Sequence, residues 1–499
     1  MRSRQGRVGA LMSALVVSCA LIIAWGLGSP AHGSIQFEAQ PEIACDNPQS
    51  MTAADFDGDG FPDLAVTTPA FNNVVVLIGD GEGGFETPVE YAVGRAPSWI
   101  AAHDFDADGS LDLVVTNFLG GSVSVLLGNG DGTFEDAVNF DTGLIPSGMA
   151  VADFDSDDDL DIAVVHHGSS DLVVLFGDGT GDFPESTTKP LANFPSYVIA
   201  ADVNGDDAID LVTTNSLESD FSVLLGDGEG EFDTPIVHVL GVDDSIWFLV
   251  DADIDDDGTV DLVLPCPVQN QAAIFSGNDD GTFEEALLLE MGVFPVGAVV
   301  KDFDGDGFVD VATLNNAGSD MTICPGDRLR PQLVPTSELE MTFFEGDLGT
   351  VPEAPPPISI PASSSANFFL TTDLDDDRRP DLVVASSLGH SIQVYLNRSF
   401  PPGETVFRRG DVDADGDVAF GDLVQLFRTV LGYEDELTCR DAADVDDNGA
   451  LAMADVFILL TFLFVDSDAE PAPPGPYWCG GDPTPRDGMT DCESPDACL

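Results

Sequence analysis

One nine-residue stretch, Asp55-Phe-Asp57-Gly-Asp59-Gly-Phe-Pro-Asp63, returns six more times along the chain, and it constrains the fold more than any other feature. The copies begin at Asp104, Asp153, Asp202, Asp253, Asp302 and Asp373, at steps of 49, 49, 49, 51, 49 and 71 residues. A unit of this length repeated at a fixed period predicts a stacked or radial array, in which each unit buries its apolar face against the next.

Residues 97–143 serve as the type unit. Pro97 to Phe105 leads into the Asp loop, and Leu111–Thr116 and Ser122–Leu127 follow it. A Gly128-Asn-Gly-Asp-Gly132 turn then opens into Phe134–Phe140, which makes four short β-rich runs separated by turn signals. Four strands repeated seven times predict an all-β fold, a seven-bladed propeller of four-stranded blades. The Asp loop joins the first and second strands of every blade, so all seven loops share one face. The N-terminal Phe37-Glu38 matches Phe85-Glu86 and Phe134-Glu135, whereas the seventh copy has no clear fourth strand of its own. Residues 35–43 are therefore expected to complete blade seven. The long step before Asp373 holds a Pro- and Ser-rich insertion at about 330–363, read as either a specialised loop or an inert one.

The loop has a chemistry. Positions 1, 3, 5 and 9 carry oxygen ligands: Asp55, Asp57, Asp59, Asp63; Asp104, Asp106, Asp108, Asp112; Asp153, Asp155, Asp157, Asp161; Asp202, Asn204, Asp206, Asp210. The later copies give Asp253, Asp255, Asp257, Asp261; Asp302, Asp304, Asp306, Asp310; and Asp373, Asp375, Asp377, Asp381. An anionic, all-oxygen set without Cys or His suits a hard cation, and its size suits Ca²⁺ better than Mg²⁺. Glycine at position 6 permits a positive φ; Asp158, Asp207 and Arg378 replace it, and Arg378 is followed by Arg379. A cation beside the ion makes the seventh copy the weakest site.

With 90 acidic and 16 basic residues the chain has a formal net charge of −74. Such a chain repels nucleic acid and anionic membranes. Hydrophobic residues at 43% exclude a disordered acidic chain. Residues 1–33 read as a signal peptide: Arg2, Arg4 and Arg7, an apolar run from Val8 to Gly28, then Ala31-His32-Gly33. An uncleaved anchor and a lipobox-like Val16–Cys19 are the alternatives, and all three readings put the body outside the cytoplasm. After cleavage no membrane span is expected. Cys45, Cys266 and Cys324 fall in the propeller, with one expected to be unpaired, and Cys439, Cys479, Cys492 and Cys498 could form two disulfides in three ways.

Past Phe407 the pattern changes. Asp411, Asp413, Asp415 and Asp422, then Asp444, Asp446, Asn448 and Asp455, stand at positions 1, 3, 5 and 12 of two loops with Gly416 and Gly449 at position 6. This is EF-hand spacing, and apolar helical runs follow each loop. The expected layout is a propeller over 34–408, a small α-helical double EF-hand module over 409–466 and a Pro/Cys-rich extension over 467–499.

Residues 34–408 resemble the FG-GAP/VCBS repeats of integrin α-type propellers. That resemblance implies an extracellular, Ca²⁺-binding propeller used in adhesion or ligand binding, with about seven ions. Residues 409–466 resemble a type I dockerin, which implies two further Ca²⁺ sites and a cohesin-like partner. Loop positions 10 and 11 are Phe420-Gly421 and Met453-Ala454, where cellulosomal dockerins usually carry Ser-Thr.

No HExxH, GxSxG or phosphate-binding glycine loop is present. His103 reads as structural and His166-His167 as a satisfied or exposed pair rather than a metal or acid/base site. Trp99 and Trp247 read as packing residues, with stacking on sugars the alternative, and Arg409-Gly-Asp411 as a coincidence within the first EF-hand loop. The function expected is binding or adhesion to an extracellular protein or polysaccharide. A polysaccharide lyase or glycosidase and a structural surface component are the alternatives.

Overall fold

The computed structural model describes residues 35–191, 194–217, 219–241, 244–326, 357–363 and 365–399. The leader, most of the insertion, and both EF-hand loops (Asp411, Asp413, Asp415, Asp422; Asp444, Asp446, Asn448, Asp455) lie outside the described residues, as does the C-terminal extension.

Residues 35–399 form seven antiparallel sheets arranged as blades. Blade two is representative: Pro97–His103, Asp112–Asn117, Ser122–Leu126 and Val138–Asp141 pair in chain order. The first strands of successive blades touch one another round the ring, those of blades seven and one included, so they line the axis. Second strands are wholly buried; Asp112–Asn117 and its six counterparts have no exposed residue. Both faces of these strands pack on neighbouring blades, which is why they read as unbroken runs such as Leu-Val-Val-Thr. Fourth strands lie at the open edge, and Glu185–Pro190 alternates exposed and half-buried.

The core is divided into seven apolar clusters, one in each seam between adjacent blades. Blades one and two share Val74, Val76, Ile100, Leu113 and Phe134. Blades seven and one share Leu64, Leu77, Val383 and Leu396, so the last seam is packed like the others.

The N-terminus supplies the outer edge of blade seven. Phe37–Ala39 pairs antiparallel with Ser391–Asn397, with Phe37 opposite Asn397, and Ile43–Ala44 continues along the same strand. Blade six differs from the sequence reading. Its outer strand is Ile358–Pro361, paired with Asp320–Cys324, so the end of the expected loop at 330–363 is part of the sheet. The insertion separates the third and fourth strands of a blade, and that separation hid the strand from a spacing argument. Cys45 and Cys266 are buried free thiols and Cys324 is buried as well, so no two of the three pair with one another, in contrast to the one pair expected. Burial pushes the Cys45 and Cys266 thiols up to about 12, with nearby acids adding to the effect.

Candidate functional site: the Asp loops and the axial mouth

Each Asp loop is built from its own carboxylates. The position 1 residue accepts the backbone N–H of position 6 in all seven copies, from Gly60 to Asp55 at 2.9 Å through Arg378 to Asp373 at 2.7 Å. Position 6 is left-handed whatever residue stands there: Gly109 at φ 90°, Asp158 at 74°, Asp207 at 69° and Arg378 at 66°. Position 4 is left-handed too, at Ala107, Ser156, Asp256 and Asp376 as well as at glycines. The sequence reading missed this second turn because only three of the seven copies mark it with glycine.

Carboxylate oxygens converge within 4.8 Å in Asp55/Asp57/Asp63, Asp104/Asp106/Asp108, Asp153/Asp155/Asp161, Asp253/Asp255/Asp261 and Asp302/Asp304/Asp306. Positions 1 and 3 thus meet in all five of these loops, joined by position 5 in two and position 9 in three. In the fourth copy Asp202 accepts the amides of Gly205 and Asp207, and Asn204 that of Asp206. The oxygens Asp104 Oδ1, Asp155 Oδ1 and, in the seventh loop, Asp375 Oδ1 are buried with no hydrogen-bond partner. A buried carboxylate oxygen left without a donor is costly. These donor sets therefore fit a hard divalent cation.

Position 9 has a second task that the motif did not advertise. One oxygen of Asp63 accepts Phe56 N–H at 2.8 Å and the other accepts Gly79 N–H at 2.7 Å, from the turn after the third strand. The same clamp recurs at Asp112, Asp161, Asp210, Asp261 and Asp310. Asp381 completes the set with Leu374 and Asn397. A side chain at Gly79 would collide with the Pro62 carbonyl, which explains the glycine there. Burial, opposed by these amides and reinforced by neighbouring acids, pushes Asp63, Asp112 and Asp161 up to about 6. The same causes push Asp381 to about 7 and Asp310 to about 8.

The loops also reach the next blade. The Phe56 carbonyl accepts Gly132 N–H at 2.9 Å, and the Phe56 ring meets Phe134 edge-on at 5.4 Å. Phe105 and Phe154 repeat both contacts. Order in a loop is thereby coupled to order in a seam.

The opposite face has another character. A seven-residue first strand carries the chain ~20 Å from that face to the Asp loops. There the second-to-third-strand turns and the links between blades contain, among the described residues, only two acids. Asp46 faces His390 at 3.3 Å, and buried Asp244 accepts the amides of Val268 and Gln269. Every Asp loop holds at least three acidic residues, so the disc is strongly polarised. Phe71, Phe118, Leu144, Phe194, Trp247 and Leu388 are all exposed on the acid-poor face.

At its centre lies a cavity of about 520 Å³ at the mouth of the axial channel. Trp99 lies parallel to Phe248 at 6.0 Å and contacts Tyr197 and Phe368, so one aromatic from each of four blades meets on the axis. Trp247, read from sequence as packing, is instead 53% exposed at the rim. Ser147 and Ser196 line the mouth, but their hydroxyls are bound to Pro195 and Ile246 carbonyls of the next blade. His167 also lines it, beside Phe194 at 5.1 Å, whereas His166 is buried with Nδ1 3.1 Å from Asp171.

Four overlapping stretches, 55–115, 104–164, 153–213 and 253–313, match the model of the FG-GAP-like repeat. The chain therefore carries FG-GAP-like repeats, set on a seven-bladed propeller. No curated protein matches it. Among solved structures, BBS1N in complex with ARL6DN is 9% identical, covering 72% of this chain and 96% of that one at a TM-score of 0.51. An Agrocybe aegerita lectin that recognises non-reducing terminal N-acetylglucosamine is 17% identical, with 72% and 96% covered and a TM-score of 0.46. An inactive virginiamycin B lyase from Staphylococcus aureus is 11% identical, with 72% and 99% covered and a TM-score of 0.45. The likeness to BBS1N speaks for the fold and nothing further.

Proposed function

We propose that this FG-GAP-repeat propeller is an exported, calcium-stabilised binding protein that takes a neutral carbohydrate at its axial mouth. The observation that carries the reading is the polarity of the disc: an acid-poor, aromatic cavity on one face and converging carboxylates on the other. Aromatic rings at a weakly charged, concave mouth suit the apolar faces of sugar rings. Calcium would be held by positions 1, 3, 5 and 9 and would act on stability. Each ion neutralises several carboxylates in a loop tied to a blade seam.

Export follows from the character of residues 1–33, and the 409–466 module would dock a cohesin-like partner or the cell surface. Paired carboxylates of the kind a glycosidase needs are not among the described residues lining the cavity, where His167 is the one titratable side chain. This supports binding over hydrolysis.

The test is retention of the calcium-loaded chain on a panel of neutral polysaccharides, with EGTA controls and analysis of the supernatants. Calcium-dependent retention that Trp247→Ala weakens about tenfold, with an unchanged melt and intact polymer, is the expected outcome. Retention indifferent to Trp247 would remove the axial mouth from the reading. Released oligosaccharides would make the protein an enzyme.

A further inference from the structure

We infer that the seventh Asp loop holds no calcium, because two guanidinium groups of the chain itself occupy the place of the ion. Arg398 Nη1 lies 2.6 Å from Asp375 Oδ2 and 3.1 Å from Asp377 Oδ2, the position 3 and position 5 carboxylates. Arg379 brings Nη2 to 2.7 Å and Nε to 3.1 Å from the same Asp377 oxygen. Its Nη1 donates to the Ser399 carbonyl at 2.9 Å, which fixes the group in place. These charge-assisted bonds already neutralise the position 3 and position 5 carboxylates, and a divalent ion in the loop would sit against two fixed guanidinium charges, although Asp375 Oδ1 remains buried without a hydrogen-bond partner.

The origin of Arg398 lies in the register of the blades. The position 9 clamp always reaches sixteen residues ahead, to Gly79, Gly128, Gly177, Gly226, Gly277 and Gly326, and in blade seven to Asn397. The next residue is Asp80, Asn129, Asp178, Asp227, Asn278 or Asp327 in six blades, and Arg398 in the seventh. In blades one to five this Asx organises the hairpin to the fourth strand; Asp80 Oδ1, for example, accepts the amides of Glu82 and Gly84, whereas Asp327 lies outside the described residues. Blade seven has no such hairpin, since its outer strand comes from the N-terminus. The constraint on that position is lifted, and a cation there can turn back onto the loop.

Arg398 also reaches across the closure. Its Nε is 3.3 Å from Glu38 Oε2, and its backbone N–H donates to the Gln36 carbonyl at 2.7 Å. Asn397 adds a bond from Nδ2 to the Phe303 carbonyl of blade six at 2.9 Å. The blade that joins the two ends of the ring is thus pinned by covalently tethered cations, which a chelator cannot remove. This inference rests on the calcium reading of the other loops.

Native mass spectrometry of the full chain in calcium, with variants compared against wild type, tests it. Asp375→Asn/Asp377→Asn should leave the ion count unchanged, while the control Asp106→Asn/Asp108→Asn should lower it by one. Arg379→Gln/Arg398→Gln should raise the count by one, which keeps the test intact if the Asp variant does not fold. A loss of one ion in Asp375→Asn/Asp377→Asn, or no gain in the arginine variant, overturns the inference. A control that loses nothing overturns the calcium reading instead. As a second readout, hydrogen exchange in EGTA should leave residues 373–381 as protected as in calcium while 104–112 lose protection.

Discussion

Asp310 and Gly326 stand sixteen residues apart and are joined by a 2.8 Å hydrogen bond from the glycine amide to a carboxylate that has no exposure to solvent. The bond closes the first half of the blade onto the second, and it recurs round the ring with Asn397 as the one substitute for glycine. This clamp separates two roles that share the same motif.

Position 9 serves the fold whether or not the loop binds an ion. Asp112→Asn should cost about 2–4 kcal/mol, since one of two buried N–H donors then faces an amide NH₂. Asp108, exposed in the same loop, accepts Ser110 N–H at 2.7 Å. Asp108→Asn should cost less than about 0.5 kcal/mol in EGTA. Urea denaturation of both variants, with and without calcium, checks the contrast; equal costs in EGTA would erase it.

The buried position 9 carboxyls make the chelated protein sensitive to alkali. Their folded values, about 6 at Asp63, about 7 at Asp381 and about 8 at Asp310, lie above those of an unfolded chain, near 3.9. Stability linked to them is complete below about pH 4 and drains away as the pH rises through these values. In EGTA the melting temperature should therefore fall between pH 5 and pH 8, and the gain from added calcium should widen over the same range. A flat or rising melt in EGTA would contradict the account.

Chelation itself should be severe. An ion at a hundredfold its Kd adds about 2.7 kcal/mol, and several loops act together. A drop on the order of 10–20 °C in excess EGTA is expected for a domain of this size. Calorimetry in calcium and in EGTA measures it directly, and coincident melts would end the proposal that the loops bind calcium.

Ser147 offers a test of the seams that leaves the loops alone. Its hydroxyl bonds to Val165 O at 3.1 Å within its blade and to Pro195 O at 3.0 Å in the next. Ser147→Ala should cost about 1–2 kcal/mol, equally with and without calcium. A cost that appears only in EGTA would show seams and ions to be less independent on this face than the structure makes them.

Much of this architecture was legible because one residue type at one spacing recurred. The Asp spacing gave the blades, and the match of Phe37-Glu38 to Phe85-Glu86 gave the closing strand. The outer strand of blade six was hidden, because an insertion moved Ile358–Pro361 out of period. The axial cluster was hidden for a different reason. Trp99, Tyr197, Phe248 and Phe368 come from four blades, and nothing local says that the starts of first strands converge. Position 9 looked like one more ligand because a buried acceptor of two amides and a metal ligand are written with the same letter. Only the fixed distance to the glycine sixteen residues on carried a trace of the clamp.

The pairing of Phe37 with Asn397 sets a limit in time. The strand that completes the last blade is synthesised first, and its partner is synthesised 360 residues later. Until then the growing chain can build blades but carries an unmatched edge at each end, both competent to pair with a neighbour. A translating ribosome cannot release a closed ring early, and a truncated chain cannot form one. Once the ends meet, no blade can leave without breaking a seam on each side, so a closed ring should survive long after its equilibrium stability would permit a strand to fray.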